Sequence, residues 1–166
     1  MSTKHTDDSG LASPALTRWM RFAGVFYLLQ FVAMVFVRAP IRTFGPRGTL
    51  ARADAGEPIA SFLVDTWVTF GLEVGAIGAA VLIASRHPHQ ARGVAWTVLA
   101  IELVRGIAND VYMIVRHINV TGYAIWIAVH SVVIVTGLLA LRATATRPQD
   151  TPGARRSAAS PRQAIA

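Results

Sequence analysis

The 166-residue chain has no cysteine, a single lysine and only nine acidic residues. Without thiols there is no disulfide framework, no thiolate zinc site and no cysteine nucleophile, and the redox compartment stays open. Charged residues make up 15% of the chain and hydrophobic ones 53%. That is too little charge and too much apolar surface for a soluble domain of this size, and it fits the membrane class, with one helical bundle as the natural domain count. The formal net charge of +7 comes almost entirely from 15 arginines. Such a balance can mark nucleic-acid binding. Here the arginines cluster beside apolar runs, where they set topology and meet anionic headgroups, so the partner is the lipid bilayer and no nucleic acid is expected.

Residues 1–17 are polar, small and aperiodic and read as a disordered leader. Apolar runs then predict helices over about 19–38, 61–85, 93–116 and 120–142, an all-α, four-helix transmembrane bundle across 18–142. The first is uncharged from Phe22 to Val37. At 1.5 Å per residue it covers about 24 Å, enough to cross a core of about 30 Å if Trp19, Arg21 and Arg38 reach the interface. It ends without an Ala-x-Ala pattern and so reads as a permanent helix, not a signal peptide. Residues 38–60 hold Pro40, Gly45, Pro46, Gly48, Gly56 and Pro58 and read as a turn-rich loop, with a helical turn near Leu50 to Ala53. In the next loop, RHPHQAR (86–92), His87 and His89 have no carboxylate or thiolate beside them and read as solvated histidines. No metal and no cofactor is expected. The stretch 143–166 is low-complexity Ala, Thr, Pro and Arg, a disordered basic tail. The termini and second loop hold ten Lys or Arg and the first and third loops five, which places both termini in the cytoplasm.

The apolar runs carry groups that hydrocarbon rejects. Each ionised side chain near the bilayer centre costs about 2.5 to 3.5 kcal/mol on insertion scales, so these groups should face a protein interior or a hydrated cavity. Counted from the cytoplasmic end of its own helix, each of Glu73, Arg105 and His130 lies about 18 Å deep, one layer near mid-membrane. Glu102 and Gln30 come to about 14 Å, and Asp110 and Asp65 to roughly 25 to 30 Å. Glu102, Arg105, Gly106, Asn109 and Met113 share a helical face, making a polar column. Glu73 and Glu102 oppose only Arg105, so His130 or a neutral carboxyl must settle the charge and the site should be proton-labile. An ion-pair network that merely fixes helix register is the bland alternative, but two carboxylates, an arginine and a histidine exceed what register needs. On the second helix Gly71 and Gly75 lie opposite the polar face, a small-x-x-x-small spacing that suits close packing inside the bundle, a homodimer or a membrane partner.

RFAGVFYLL (21–29), VRAPIR (37–42), FLVDTW (62–67), GLEVG (71–75), ELVRGIANDVYMI (102–114) and WIAVHSVVIVTG (126–137) resemble the BphX-like family of small bacterial membrane proteins. The resemblance spans about Arg18 to Arg142. It implies a four-span protein of the bacterial cytoplasmic (inner) membrane, some of whose relatives are encoded beside genes for aromatic-compound breakdown, and it implies no catalytic set. Three functions follow. In the first, Glu73, Arg105 and His130, with Glu102, Asp110, Asp65, Asn109 and Gln30, line a cavity that binds or passes a small amphipathic molecule, aromatic ones included. Tyr123, Trp126 and Phe22 or Phe26 would wall it. The second is a membrane-embedded enzyme with Glu73 or Glu102 and His130 as acid and base, although no recognised catalytic motif is present. The third is a structural partner subunit docking through its glycine face. A transporter working alone is disfavoured, since no inverted repeat or broken helix is visible.

Overall fold

Proline opens three of the four long helical runs. A computed structural model describes residues 13–145 and places α1 at Pro14–Val35, α4 at Pro58–Ala84, α5 at Pro88–Ile101 and α7 at Val120–Ala145. Proline suits the first turn, where its missing N–H would have had no helical partner and its fixed φ already matches the helix. Pro14, Pro58 and Pro88 therefore extend the helices several residues beyond the N-terminal bounds drawn from hydropathy. Ser13 completes the first start by accepting from the Leu16 N–H at 3.2 Å. Asn119 does the same for α7, its Oδ1 accepting from the Gly122 N–H at 3.2 Å. Expected leader residues up to position 12 and tail residues from 146 lie outside the described residues, as does the side chain of His89.

The segment between the first two runs is more ordered than its glycines and prolines suggest. It holds two short helices, α2 (Ala39–Phe44) and α3 (Thr49–Asp54), where only a turn near Leu50 was expected. Pro40 again sits in a first turn, starting α2 rather than breaking it. The third run continues from α5 through a π-helical segment, Glu102–Ala108, into α6, Asn109–Val115. Among the described residues the chain is all-helical, with no strand.

Two helices, Pro58–Ala84 and Val120–Thr144, are long and apolar enough to cross a membrane by length and composition. The other two expected spans fall short for readable reasons. Arg18 and Arg21 lie inside the first turns of α1, and the π segment divides the third run into pieces of 14, 7 and 7 residues.

α1 and α4 run antiparallel in the closest contact of the bundle. A Cβ built on Gly78 would lie 2.9 Å from the Gly24 carbonyl oxygen, and one on Gly75 or Gly71 would strike Phe31 or Met34 and Val35 of α1. Of the uses open to the glycine face, packing inside the bundle is the one seen: the face is covered by the chain's own first helix, because close approach of backbones is what its small residues permit. Beside this contact the apolar core gathers Leu16, Met20, Val81, Val98 and Val133, all nearly inaccessible, at one end of the bundle. Trp19 ties α1 to α7 there, its Nε1–H reaching the Val133 carbonyl and Thr136 Oγ1 at 3.3 and 3.2 Å. At the opposite end α2 covers the bundle, with the Phe44 and Tyr123 rings 5.3 Å apart. The outward faces of all four runs are mainly apolar, among them Leu29 and Phe36, Phe62 and Ile83, Leu103 and Val104, and Ile125 and Leu139, with Asp65 an exposed charge on α4.

Gly78→Leu should therefore destabilise the fold by about 1 to 3 kcal/mol or more, the usual cost of overpacking. Gly93→Ala, whose methyl meets nothing within 4 Å, should leave thermal melting unchanged or raise it slightly. Circular-dichroism melts in detergent check the pair, and a wild-type melt for Gly78→Leu contradicts the α1–α4 contact.

Candidate functional site

Between the core and α2 the four runs line a half-open cavity of about 100 Å³. Its centre is Glu102, which is 2% exposed and is the most deeply buried charged residue among those described. The Tyr27 hydroxyl of α1 donates to Glu102 Oε1. From α7, the Nδ1–H of His130 donates to Glu102 Oε2 at 2.5 Å. The other ring nitrogen, Nε2, faces Asp110 Oδ2 at 3.7 Å, so the imidazole stands between two carboxylates. Three of the four runs thus meet at one side chain.

Two local features of the third run make this possible. In a regular α-helix Asp110 would point about 80° away from Glu102 at 3.6 residues per turn. The i→i+5 bonding of the π segment takes fewer degrees per residue and turns both carboxyls, with Gly106 between them, toward α7. Gly106 then clears the space. A Cβ there would lie 2.6 Å from Cγ and Nδ1 of the His130 ring.

Glu73 and Arg105 form a second, more open cluster. Arg105 Nη2 donates to Glu73 Oε2 at 2.7 Å, and the two side chains are 37% and 54% exposed respectively. The Arg105 guanidinium also lies 3.9 Å above the Phe70 ring, within cation–π range. The expected layer of Glu73, Arg105 and His130 is therefore two clusters, with His130 pairing to Glu102 and Asp110 and Arg105 to Glu73 at the cavity's rim.

Of the residues singled out in the sequence, Gln30, Glu102, Arg105, Asn109, Asp110, Tyr123, Trp126 and His130 line the cavity. Trp126 packs on His130 with ring centroids 5.7 Å apart. Glu73 reaches the rim through its bond to Arg105. Asp65 is exposed on α4 and does not line the cavity; it lies two turns from Glu73, on the outward side of a helix whose inward face is taken by α1. Phe22 and Phe26 stack on each other away from the lining, and Phe22 is exposed, so the aromatic walls come instead from Phe44, Trp67 and Phe70. Tyr27 is the main omission of the sequence reading. A polar ring one turn before Gln30 on an otherwise apolar helix was the available signal. No group of three His, Cys, Asp or Glu with the geometry of a metal site occurs among the described residues.

A family model described as BphX-like matches residues 14–146. The chain belongs to the BphX-like family. Uncharacterised BphX-like proteins of Burkholderia cepacia and of Paraburkholderia xenovorans strain LB400 are each 32% identical to it over 127 residues, covering 75% of this chain and 88% of the relative. No solved structure matches significantly. The match takes in α1 through α7, and with them every cavity residue of this BphX-like chain.

Glu102→Ala is expected to cost about 3 to 5 kcal/mol, as when one member of a buried pair is removed. Tyr27→Phe should cost less, about 1.5 to 3 kcal/mol for a hydrogen bond to a charged group. Thermal melts of the BphX-like variants in detergent measure both, and Glu102→Ala melting like wild type would remove Glu102 from the centre of the bundle.

Proposed function

We propose that the chain is a multi-pass protein of the bacterial inner membrane, with four spans and both termini cytoplasmic, whose buried polar centre binds or passes a small amphipathic molecule. The observation that carries this is a cavity with charged groups in its wall inside a bundle whose outward faces are mainly apolar on every run, Asp65 and Glu73 being the exposed acidic residues of α4. Soluble proteins seldom expose so much contiguous apolar surface, whereas hydrocarbon accepts it on helices whose backbone bonds are internally satisfied. The length and composition of the two apolar helices agree with membrane insertion. α1 adds an uncharged stretch from Phe22 to Val35, and the third run is helical without a gap from Pro88 to Val115. The cavity's mixture of aromatic walls and a few convergent polar groups is the chemistry of a small-molecule site.

A second reading draws on one observation. Glu102 and His130 form a hydrogen-bonded acid–base pair lining the cavity, the arrangement a membrane-embedded enzyme acting on a lipid-soluble substrate would use. Conversion of a hydrophobic substrate by purified protein, lost in Glu102→Gln, would favour it.

The absence of cysteine makes the topology directly testable. Ala55→Cys and Ile118→Cys should react with an impermeant thiol reagent in intact cells, and Arg86→Cys only after permeabilisation. The reverse pattern inverts the topology, and equal labelling at all three positions ends the four-span arrangement. Native mass spectrometry should find a small molecule retained by the wild-type chain and absent from Ile77→Phe, which fills the cavity. A retained mass that survives Ile77→Phe lies elsewhere, and the cavity is then not its site.

A further inference from the structure

Two polar atoms in the cavity wall have no partner. Gln30 Nε2 on α1 and Asp110 Oδ2 on α6 are both buried and make no hydrogen bond among the described residues. Both residues line the cavity. The nearest donor to Asp110 in the centre already described, His130 Nε2, stands 3.7 Å away, beyond hydrogen-bond reach. Folded proteins rarely leave such groups unpaired, because a buried donor or carboxylate oxygen without a partner has lost its hydration for nothing. What occupies the cavity must therefore offer an acceptor to one atom and a donor to the other.

Resting on the reading of the cavity as a ligand site, we propose that its ligand is an uncharged molecule carrying a hydroxyl on a flat apolar body. A hydroxyl is the simplest group with both functions: its oxygen accepts from the Gln30 amide and its proton goes to the Asp110 carboxylate. An ether or ketone serves only Gln30, and an ammonium only Asp110. A carboxylate would face Asp110 and Glu102 together and be repelled. The flat body follows from the walls. Phe44, Trp67, Phe70, Tyr123 and Trp126 all contribute rings to the lining, and aromatic rings pack well against a flat aromatic body. A half-open cavity of about 100 Å³ limits the body to no more than about one ring, since closed apolar cavities of about 150 Å³ take up benzene.

The test uses the full-length protein in detergent and four one-ring probes of similar size: 4-methylphenol, 4-methylanisole, p-xylene and 4-methylbenzylamine. Binding is followed by quenching of tryptophan fluorescence. The wild type should bind 4-methylphenol about 10- to 100-fold more tightly than the ether or the hydrocarbon, the difference expected of a hydrogen bond to a charged group. In Gln30→Met, which keeps the volume but not the donor, that preference should shrink while the melting temperature without ligand holds or rises, because a buried unpaired donor has gone. Asp110→Asn should also narrow the preference; if it fails to fold, Gln30→Met alone carries the test. Equal binding of phenol, ether and hydrocarbon overturns the hydroxyl assignment, as when ordered water already serves both atoms, yet leaves the cavity as a ligand site. Tightest binding of the amine overturns it in favour of a cationic ligand. No binding by any probe, together with an empty cavity in native mass spectrometry, removes the ligand site itself.

Discussion

A carboxylate that is almost wholly withdrawn from solvent must have its charge answered by neighbours, and in this bundle that obligation falls on Glu102. Its two oxygens are met from opposite sides, by Tyr27 of α1 and His130 of α7. The requirement reaches back into the backbone. The π segment aims the carboxyl, Gly106 admits the imidazole, and Asp110 stands on the far side of the same ring. Local departures from regular helix cluster at functional sites because only a strong compensating interaction holds them, and here the compensating interaction is visible.

The Glu73–Arg105 pair obeys a different constraint. α4 packs mainly on α1, while the π segment packs on α7 and α6, so these two elements are joined by long side chains rather than by interlocked backbones. An arginine half in contact with aromatic surface and half paired with a carboxylate can hold two helices at a distance without closing the space between them. The buried cluster fixes how three runs meet, and the open cluster holds α4, already packed on α1, off the third run. The cavity is what is left between.

Much of the fold was legible in the sequence because apolar length and polar interruption are one-dimensional signals. The positions of the long runs and the polar character of the third one could be read directly. Helix starts were read late at Pro14, Pro58 and Pro88 because proline was taken as loop punctuation, though in a first turn it is a helix initiator. The site was legible in membership but not in pairing. Depth along a helix put Glu73, Arg105 and His130 in one layer, with Glu102 and Gln30 below it and Asp110 and Asp65 in the outer half, yet depth carries no azimuth. A regular 3.6-residue pitch put Glu102, Arg105, Gly106, Asn109 and Met113 on one face and left Asp110 off it, whereas in the π segment Glu102, Gly106 and Asp110 are the buried positions and Arg105 and Asn109 stay at the more exposed side of the cavity. The same blindness to azimuth placed Asp65 in the site and left Tyr27 out.

The distribution of polar groups also bears on whether a ligand would be held or conducted. Every group of the centre lies between α2 and the level of Tyr27 and Glu102. On the other side the bundle is filled by Leu16, Met20, Val81, Val98 and Val133, packed to near-zero exposure, with Trp19 bonded across to α7. Passage of a polar molecule through that half would require stripping its hydration against apolar side chains that offer no replacement, whereas access from the α2 end or from between α4 and the π segment meets aromatic and charged groups throughout. A site closed at one end and polar at the other retains and releases by the same side. Within the proposed function, the packing therefore favours binding over conduction, and it makes α2, whose Phe44 closes the cavity against Tyr123, the element that a ligand entering from that end must move.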